Sequence, residues 1–346
     1  MTGHMDTLDD LNRHVPLKDK LVTAHKVIQK SLPFIARIAI AIYDPETRVL
    51  KTFVHSSGDD NPLENYQALI DDAPSLKQIL AKGQPRVINN LLTFENSSRE
   101  HNRRLGRAGY AASYTMPIFN SGDFLGFIFF NSYAPDVFDE QVLSQLDIFG
   151  HLVSLMVINE LSNIHTLAAA LKTSGKITHL RDPETGSHLD RMSRYSRLIA
   201  SALADKYRLE DAYIEHVFMF SPLHDIGKIG IPDEILHNFG LDSVDYVNIL
   251  RNIAEYHHEA VNGTGYPSGK KGSEIPLEAR IVAVADIFDA LTSKRVYKEA
   301  WTNEAALETL KRLAGEKLDQ DCVNALLENI EEIEAVQQLF KQDVYG

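Results

Sequence analysis

Leu223-His224-Asp225-Ile226-Gly227-Lys228-Ile229-Gly230-Ile231-Pro232-Asp233 is the stretch on which the reading of this chain turns. An adjacent histidine and aspartate can give one nitrogen and one carboxylate to a single metal ion, or let the carboxylate bridge two. As a bare dipeptide the pair is no more than a helix-end contact. Its apolar flanks and Gly227, which permits close approach, raise its weight. Three further clusters lie around it. Upstream, Arg181-Asp182-Pro183-Glu184-Thr185-Gly186-Ser187-His188 sets Glu184 and His188 four apart, on one face if helical. Downstream, His257-His258-Glu259-Ala260-Val261-Asn262-Gly263-Thr264-Gly265-Tyr266-Pro267 places paired histidines beside a glycine-rich loop. Then Ala279 to Thr292 puts Asp286 in an apolar helical run, where a carboxylate is costly unless paired or metal-bound. Arg295 and Lys298 follow closely enough to serve a phosphate. Each cluster alone has an ordinary explanation: a solvated helix face, a surface histidine pair, an ion pair.

Composition bounds the rest. At 346 residues the chain fits two domains, and 44% hydrophobic residues suffice for a core in each. A net charge of -13 argues against a protein that coats extended nucleic acid, while a local cationic site for a small phosphate ligand is compatible with it. The single cysteine, Cys322, leaves no intrachain disulfide and no cysteine metal site, which fits a reducing cytoplasm. The N-terminus lacks the apolar core of a signal peptide, and the sequence reads as free of any run of about 18 apolar residues, so no membrane insertion is expected.

The first half reads as mixed α/β: an opening helix over Leu11 to Leu32, strands Ile35–Tyr43 and Arg48–Val54 about an Asp44-Pro45-Glu46-Thr47 turn, and a helix Ser75–Lys82 stopped by Gly83. A short strand Arg86–Ile88 follows, then a hairpin of Ser113–Phe119 and Phe124–Asn131, and a long helix from Phe138 to Leu161. Ser174-Gly175 is the expected break before an almost wholly helical second half. Trp301 and Phe288 read as core, and Cys322 as a small buried residue.

The order of elements from about 20 to 160 resembles a GAF domain, with Ala81 to Ile88 and the Ser113–Asn131 hairpin carrying the likeness. The resemblance implies an antiparallel sheet and a sensory or dimerising role, with a small-molecule ligand or a homodimer as partner. The four clusters, in their order, resemble the HD-GYP family of HD phosphohydrolases: His224-Asp225 with Gly227-Lys228, His257-His258-Glu259, Gly263-Thr264-Gly265-Tyr266-Pro267, Ile275-Pro276, Ala279-Arg280, Asp286 and Arg295. That resemblance implies an all-α domain and a metal-dependent phosphodiesterase that cuts a cyclic dinucleotide, cyclic di-GMP or cyclic GMP-AMP. It implies metal ligation by Glu184, His188, His224, Asp225, His257, His258 and Asp286, with Asp225 bridging. Lys228 would meet the scissile phosphate or the bridging hydroxide. Arg295 and Lys298 would hold phosphate oxygens, and Tyr266 would line the substrate site. The implied cofactors are two divalent ions, or three, of iron or manganese. Acidified from about 15.7 to about 7, metal-bound water would attack phosphorus as hydroxide, in line with the leaving 3′ oxygen. The expected organisation is an N-terminal segment 1–19, a GAF-like domain 20–160, a helical connector 161–177 and an HD-GYP domain 178–346; the helix around Phe138 to Leu171 could pair with its twin in a dimer and transmit a GAF signal.

Three positions depart from the family pattern. The family has a further histidine on a helix between the His-Asp and His-His motifs. Here Leu241 to Tyr256 (LDSVDYVNILRNIAEY) contains none and reads as short, as if that helix were lost, and His237 does not match, so a third metal is short of a ligand. Asn262 stands where Asp is usual, with an effect expected on loop hydrogen bonding more than on chemistry, and Val296 replaces a proline. The alternatives are a degenerate HD-GYP module that binds nucleotide or a signalling protein without turnover, and an HD enzyme for another phosphoester. The Gly-x-Gly-Tyr-Pro loop argues against the latter.

Overall fold

Alternating apolar residues across Ile35–Asp44 define the centre of an antiparallel sheet in the computed structural model, which describes residues 6–13, 15–57, 67–91, 109–178, 186–229, 245–294 and 299–340. The strands are β1 (Ile35–Asp44), β2 (Val49–Ser57), β3 (Gln67–Leu69), β4 (Arg86–Ile88), β5 (Ala112–Asn120) and β6 (Asp123–Ser132), in the order β3-β2-β1-β6-β5-β4. The register aligns Ile38 with Phe130 and Phe130 with Tyr114, then Ile40 with Ile128 and Ile128 with Met116. All six side chains are buried, so one row after another of this face is apolar. Ser121 and Gly122, both at positive φ, make the tight β5–β6 turn.

Two helices cover buried sheet residues. Leu17–Ser31 buries Leu21, Ala24, His25 and Ile28. It starts later than the sequence suggests because Pro16 disfavours helix in the residue before it; Asp9–Asn12 is a separate 3-10 turn. His25 uses both ring nitrogens: Nε2 donates to the Ile35 carbonyl (2.9 Å) and Nδ1 accepts from the Ser56 hydroxyl (2.8 Å). Glu140–Thr178 lies close to β5, where a Cβ on Gly150 would meet Met116 Sδ at 2.2 Å, and Tyr114 donates its hydroxyl proton to Asp147. This helix runs unbroken through Ser174-Gly175, correcting the expected break: neither residue is enough to stop a helix of 39 residues. By length and composition its Glu140–Ile164 portion could also cross a membrane (mean hydropathy 1.4), which the sequence reading did not anticipate. Leu146, Val153, Val157 and Leu161 of that portion are buried within the protein.

The chain divides into two compact units, 1–163 and 164–346. Among its described residues the second unit is built of helices, with only isolated bridges such as Asn262 to Lys271. Its core helix is Leu277–Thr292, where Ala279, Ile281, Val282, Val284, Ala285 and Phe288 are all buried; a helix apolar on every side is a core helix. Gly186–Ala202 packs on it through an edge-to-face contact of Tyr195 with Phe288, centroids 5.3 Å apart. Asp211–Phe220, Asn303–Leu313, Gln320–Leu327 and Ile330–Leu339 complete the bundle. Thr302 and Asp319 cap two of these helices through bonds from Ala305 N and Cys322 N. Cys322 is buried, whereas Trp301, read as core, is 41% exposed. A helix, Asp245–Tyr256, fills the segment that reads from sequence as lacking one; its apolar positions Val247, Leu250 and Ile253 bury one stripe. The histidine is what that helix lacks.

Candidate metal centre

Four elements bring the predicted ligands together. His188 sits in the first turn of Gly186–Ala202, and His224 and Asp225 in the 3-10 turn Ser221–Ile229. His257 follows the end of Asp245–Tyr256, and Asp286 projects from the core helix. The three histidines are buried, and the two carboxylates are partly open. Potential ligand atoms of His188, His224 and Asp286 lie within 4.8 Å of one another, as do those of His224, Asp225 and His257. His224 belongs to both groups and joins them into one centre.

The hydrogen bonds decide which nitrogen each ring offers. A carbonyl only accepts, so His224 Nδ1 donates to Ser221 O (3.0 Å) and His257 Nδ1 donates to Ile253 O (2.8 Å). His188 Nδ1 donates to the Asp289 carboxylate (2.7 Å). With the proton on Nδ1, each neutral ring keeps its lone pair on Nε2. Nε2 of His257 is buried without a hydrogen-bond partner. It lies 3.7 Å from Asp225 Oδ1; His224 Nε2 lies 3.7 Å from Asp225 Oδ2, and His188 Nε2 lies 3.9 Å from Asp286 Oδ1. These gaps exceed a hydrogen bond and are open enough for an ion to share both atoms. Imidazole and carboxylate donors whose rings are oriented by second partners fit a divalent transition metal.

His258 falls outside both groups. Its ring lies 3.9 Å from that of His257 and 4.7 Å from that of Tyr266, whose side chain is 60% exposed. The loop between them is held from within. Tyr266 N donates to His258 O, and Ser268 N donates to the Glu259 carboxylate (2.6 Å). A Cβ on Gly265 would come within 2.3 Å of Ala260 N, so only glycine fits there. Asn262 Oδ1 accepts from the Thr264 N–H and hydroxyl, an acceptor role that an amide fills as a carboxylate would. Glu184, Arg295, Lys298, His237 and Val296, and the side chain of Lys228, lie outside the described residues.

One buried acid beside these residues does not stand out in the sequence. Asp289, fully buried, accepts from His188 and from the Arg191 guanidinium. Burial alone would raise its pKa; the hydrogen bonds from His188 and Arg191 and the Arg191 charge outweigh it and hold the carboxyl below its ordinary value. The available signal was a second acid three residues after Asp286 in an apolar helix, facing a histidine-arginine pair at the same spacing.

The HD domain family model matches residues 241–322, and the GAF domain family model matches residues 21–157. The chain joins a GAF domain to an HD domain. The HD match takes in His257, His258 and Asp286; His188 and the His224-Asp225 pair lie before its first residue. Among curated relatives, the chain is similar to the cyclic di-GMP phosphodiesterase response regulator RpfG of Xanthomonas campestris pv. campestris, 41% identical over 45% of this chain and 46% of that one. It is similar to the 3′3′-cGAMP-specific phosphodiesterase 2 of Vibrio cholerae serotype O1, 34% identical over 57% and 43%. A cyclic di-GMP phosphodiesterase of Thermotoga maritima is 32% identical over 51% and 53%. The chain spans about half the length of the curated relatives it matches.

Proposed function

We propose that this chain is a metal-dependent phosphodiesterase that opens a cyclic dinucleotide, cyclic di-GMP in the first place and 3′3′-cyclic GMP-AMP in the second. The observation that carries the reading is the convergence of His188, His224 and His257 with Asp225 and Asp286, each ring already committed through Nδ1. The relatives' names support the substrate class.

His188, His224, Asp225, His257 and Asp286 would hold divalent ions, iron or manganese, and Glu184 would add a carboxylate four residues before His188. The ions would supply Lewis acidity toward a phosphoryl oxygen and acidify water at neutral pH. Asp225 faces both His224 and His257, which supports a bridging role and two ions. A third ion has less support, because the Asp245–Tyr256 helix carries no histidine and His258 lies against Tyr266. The exposed Tyr266 ring offers a face on which a base can stack. Lys228, Arg295 and Lys298 are assigned to the phosphate oxygens, whose charge they would offset. Water adds across one P–O3′ bond, giving a linear dinucleotide with a 5′-phosphate.

The organisation that accompanies this reading is 1–19, GAF 20–160, connector 161–177 and HD-GYP 178–346, in a cytoplasmic signalling protein. The GAF domain would take a small ligand; a buried polar row of Arg37, Asn131 and Ser113 across β1, β6 and β5 supports this. Ile148 and Leu155, 72% and 64% exposed and one heptad apart, support a homodimer through the Glu140–Thr178 helix.

The test is to chelate the purified full chain, reload it with Mn(II) or Fe(II), and offer cyclic di-GMP, cyclic GMP-AMP and a mononucleotide. A linear dinucleotide product is expected. No product at full metal loading, or preference for the mononucleotide, would sink the proposal; the first result would point to the non-catalytic binding module.

A further inference from the structure

Three histidines face the candidate centre, and they are not oriented alike. His224 and His257 each give Nδ1–H to a backbone carbonyl of their own helical turn, three and four residues back. Such an acceptor comes with the helix and costs the protein no extra side chain. His188 gives its Nδ1–H to a side chain 101 residues away, the carboxylate of Asp289. That carboxylate is itself built into place. Oδ1 accepts from Arg191 Nε at 2.7 Å. Oδ2 accepts from His188 Nδ1 at 2.7 Å, from Arg191 Nη2 at 3.0 Å and from Ser293 Oγ at 2.9 Å. Arg191 is anchored in turn: Nη2 also donates to Ser293 Oγ at 2.7 Å, and Nη1 donates to the Phe340 carbonyl at 3.0 Å, beyond the end of Ile330–Leu339. A fully buried carboxylate with four donors and a bidentate arginine has one available orientation.

We propose that Asp289, clamped by Arg191 and Ser293, is the positioning residue of the centre, holding His188 in the Nδ1–H tautomer so that Nε2 keeps its lone pair toward Asp286 and His224. The inference rests on His188 being a metal ligand, as proposed above. Asp289 has a role distinct from that of Asp286, one helical turn before it on the same helix: Asp286 lies among the potential ligands, while Asp289 acts only through His188. An ionised carboxylate can only accept, so it admits a single tautomer of a neutral ring. An amide in its place can also donate, which lets the ring flip its proton to Nε2 and withdraw the ligand.

Asp289→Asn tests this without turnover. Two readouts are taken on the full chain stripped of metal: Mn(II) affinity by titration, and the ring-nitrogen shifts of His188 by NMR. In the wild type, His188 is expected to carry its proton on Nδ1. In Asp289→Asn, with helical circular dichroism unchanged, Mn(II) binding is expected to weaken by about 10–100-fold, with the His188 proton moved toward Nε2. Mn(II) affinity within about twofold of wild type, or an unchanged His188 tautomer in the variant, would overturn the inference. Should the variant fail to fold, the wild-type spectrum decides, since an Nε2–H tautomer there contradicts the proposal. A wild type that binds no Mn(II) removes the metal reading itself, which is distinct from a wild type that binds and a variant that binds equally well.

Discussion

The GAF domain and the helical second unit each bury histidines, and they use them in different ways. In the GAF domain, His25 joins a helix to the sheet by satisfying both ring nitrogens, one with Ser56 and one with Ile35 O. In the helical second unit, His188, His224 and His257 each commit Nδ1 to an acceptor and bring Nε2 to 3.7–3.9 Å from carboxylate oxygens. Burial and residue type do not separate the two cases; the carboxylates gathered near Nε2 do. His25 meets a hydroxyl and a carbonyl at its two ring nitrogens, while His188, His224 and His257 gather around two carboxylates, a donor set that fits an ion.

The sharpest way to break this comparison is to remove one histidine of each kind. His224→Ala deletes the ligand common to both groups and should lower Mn(II) affinity and cyclic dinucleotide cleavage by more than about 100-fold, since loss of an outer partner alone costs up to that much. Titration and a product assay check it. Metal removal comes next. A chelator should abolish cleavage and lower the unfolding midpoint of the HD domain, because an ion bound only to the folded state stabilises it. Manganese should restore both, and the GAF transition should not move. His25→Ala should leave metal affinity unchanged and cost about 1–3 kcal/mol in denaturant unfolding, the penalty for leaving the Ser56 hydroxyl without its ring partner; the Ile35 carbonyl keeps the Gln29 amide.

The smallest effect is on pH. Burial lowers the pKa of His25, with the bond to Ile35 O opposing, and lowers that of His216 to about 3, with a bond to Ala212 O opposing. Both folded values lie below the unfolded value of 6.5, so the unfolded chain takes up protons first as pH falls. Stability is therefore full above pH 6.5 and declines through the range from there toward pH 3. His216→Leu should remove about 1 kcal/mol of the loss between pH 7.5 and 5.5, measured as the difference in denaturant midpoints.

Much of this was legible before the structure, for physical reasons. The strands of the GAF sheet follow from alternation and turn residues such as Ser121-Gly122, and Gly83 ends its helix in the left-handed conformation. The candidate ligands His224, Asp225, His257 and Asp286 stand out in sequence because metal chemistry restricts residue type, and the fold brings their ligand atoms together. What sequence missed depends on tertiary partners. Asp289 looks like any acid near a helix end until His188 and Arg191 arrive from another helix. The tautomer of each ring depends on an acceptor that only the fold supplies. The Asp245–Tyr256 helix is hidden in sequence by the lack of a histidine and the short segment; its apolar stripe at Val247, Leu250 and Ile253 is the better guide. His258 looked like His257 in sequence, yet one residue further on its ring lies against Tyr266.

The central claim is that His188, His224 and His257, with Asp225 and Asp286, hold metal ions. Crystals of the Mn(II)-loaded chain, measured at the manganese absorption edge, test it most directly. The account predicts anomalous peaks among these side chains, one reached by His188 and Asp286 and one by Asp225 and His257, with His224 Nε2 on one of the two. Fully loaded crystals whose anomalous peaks all lie away from these side chains would contradict it.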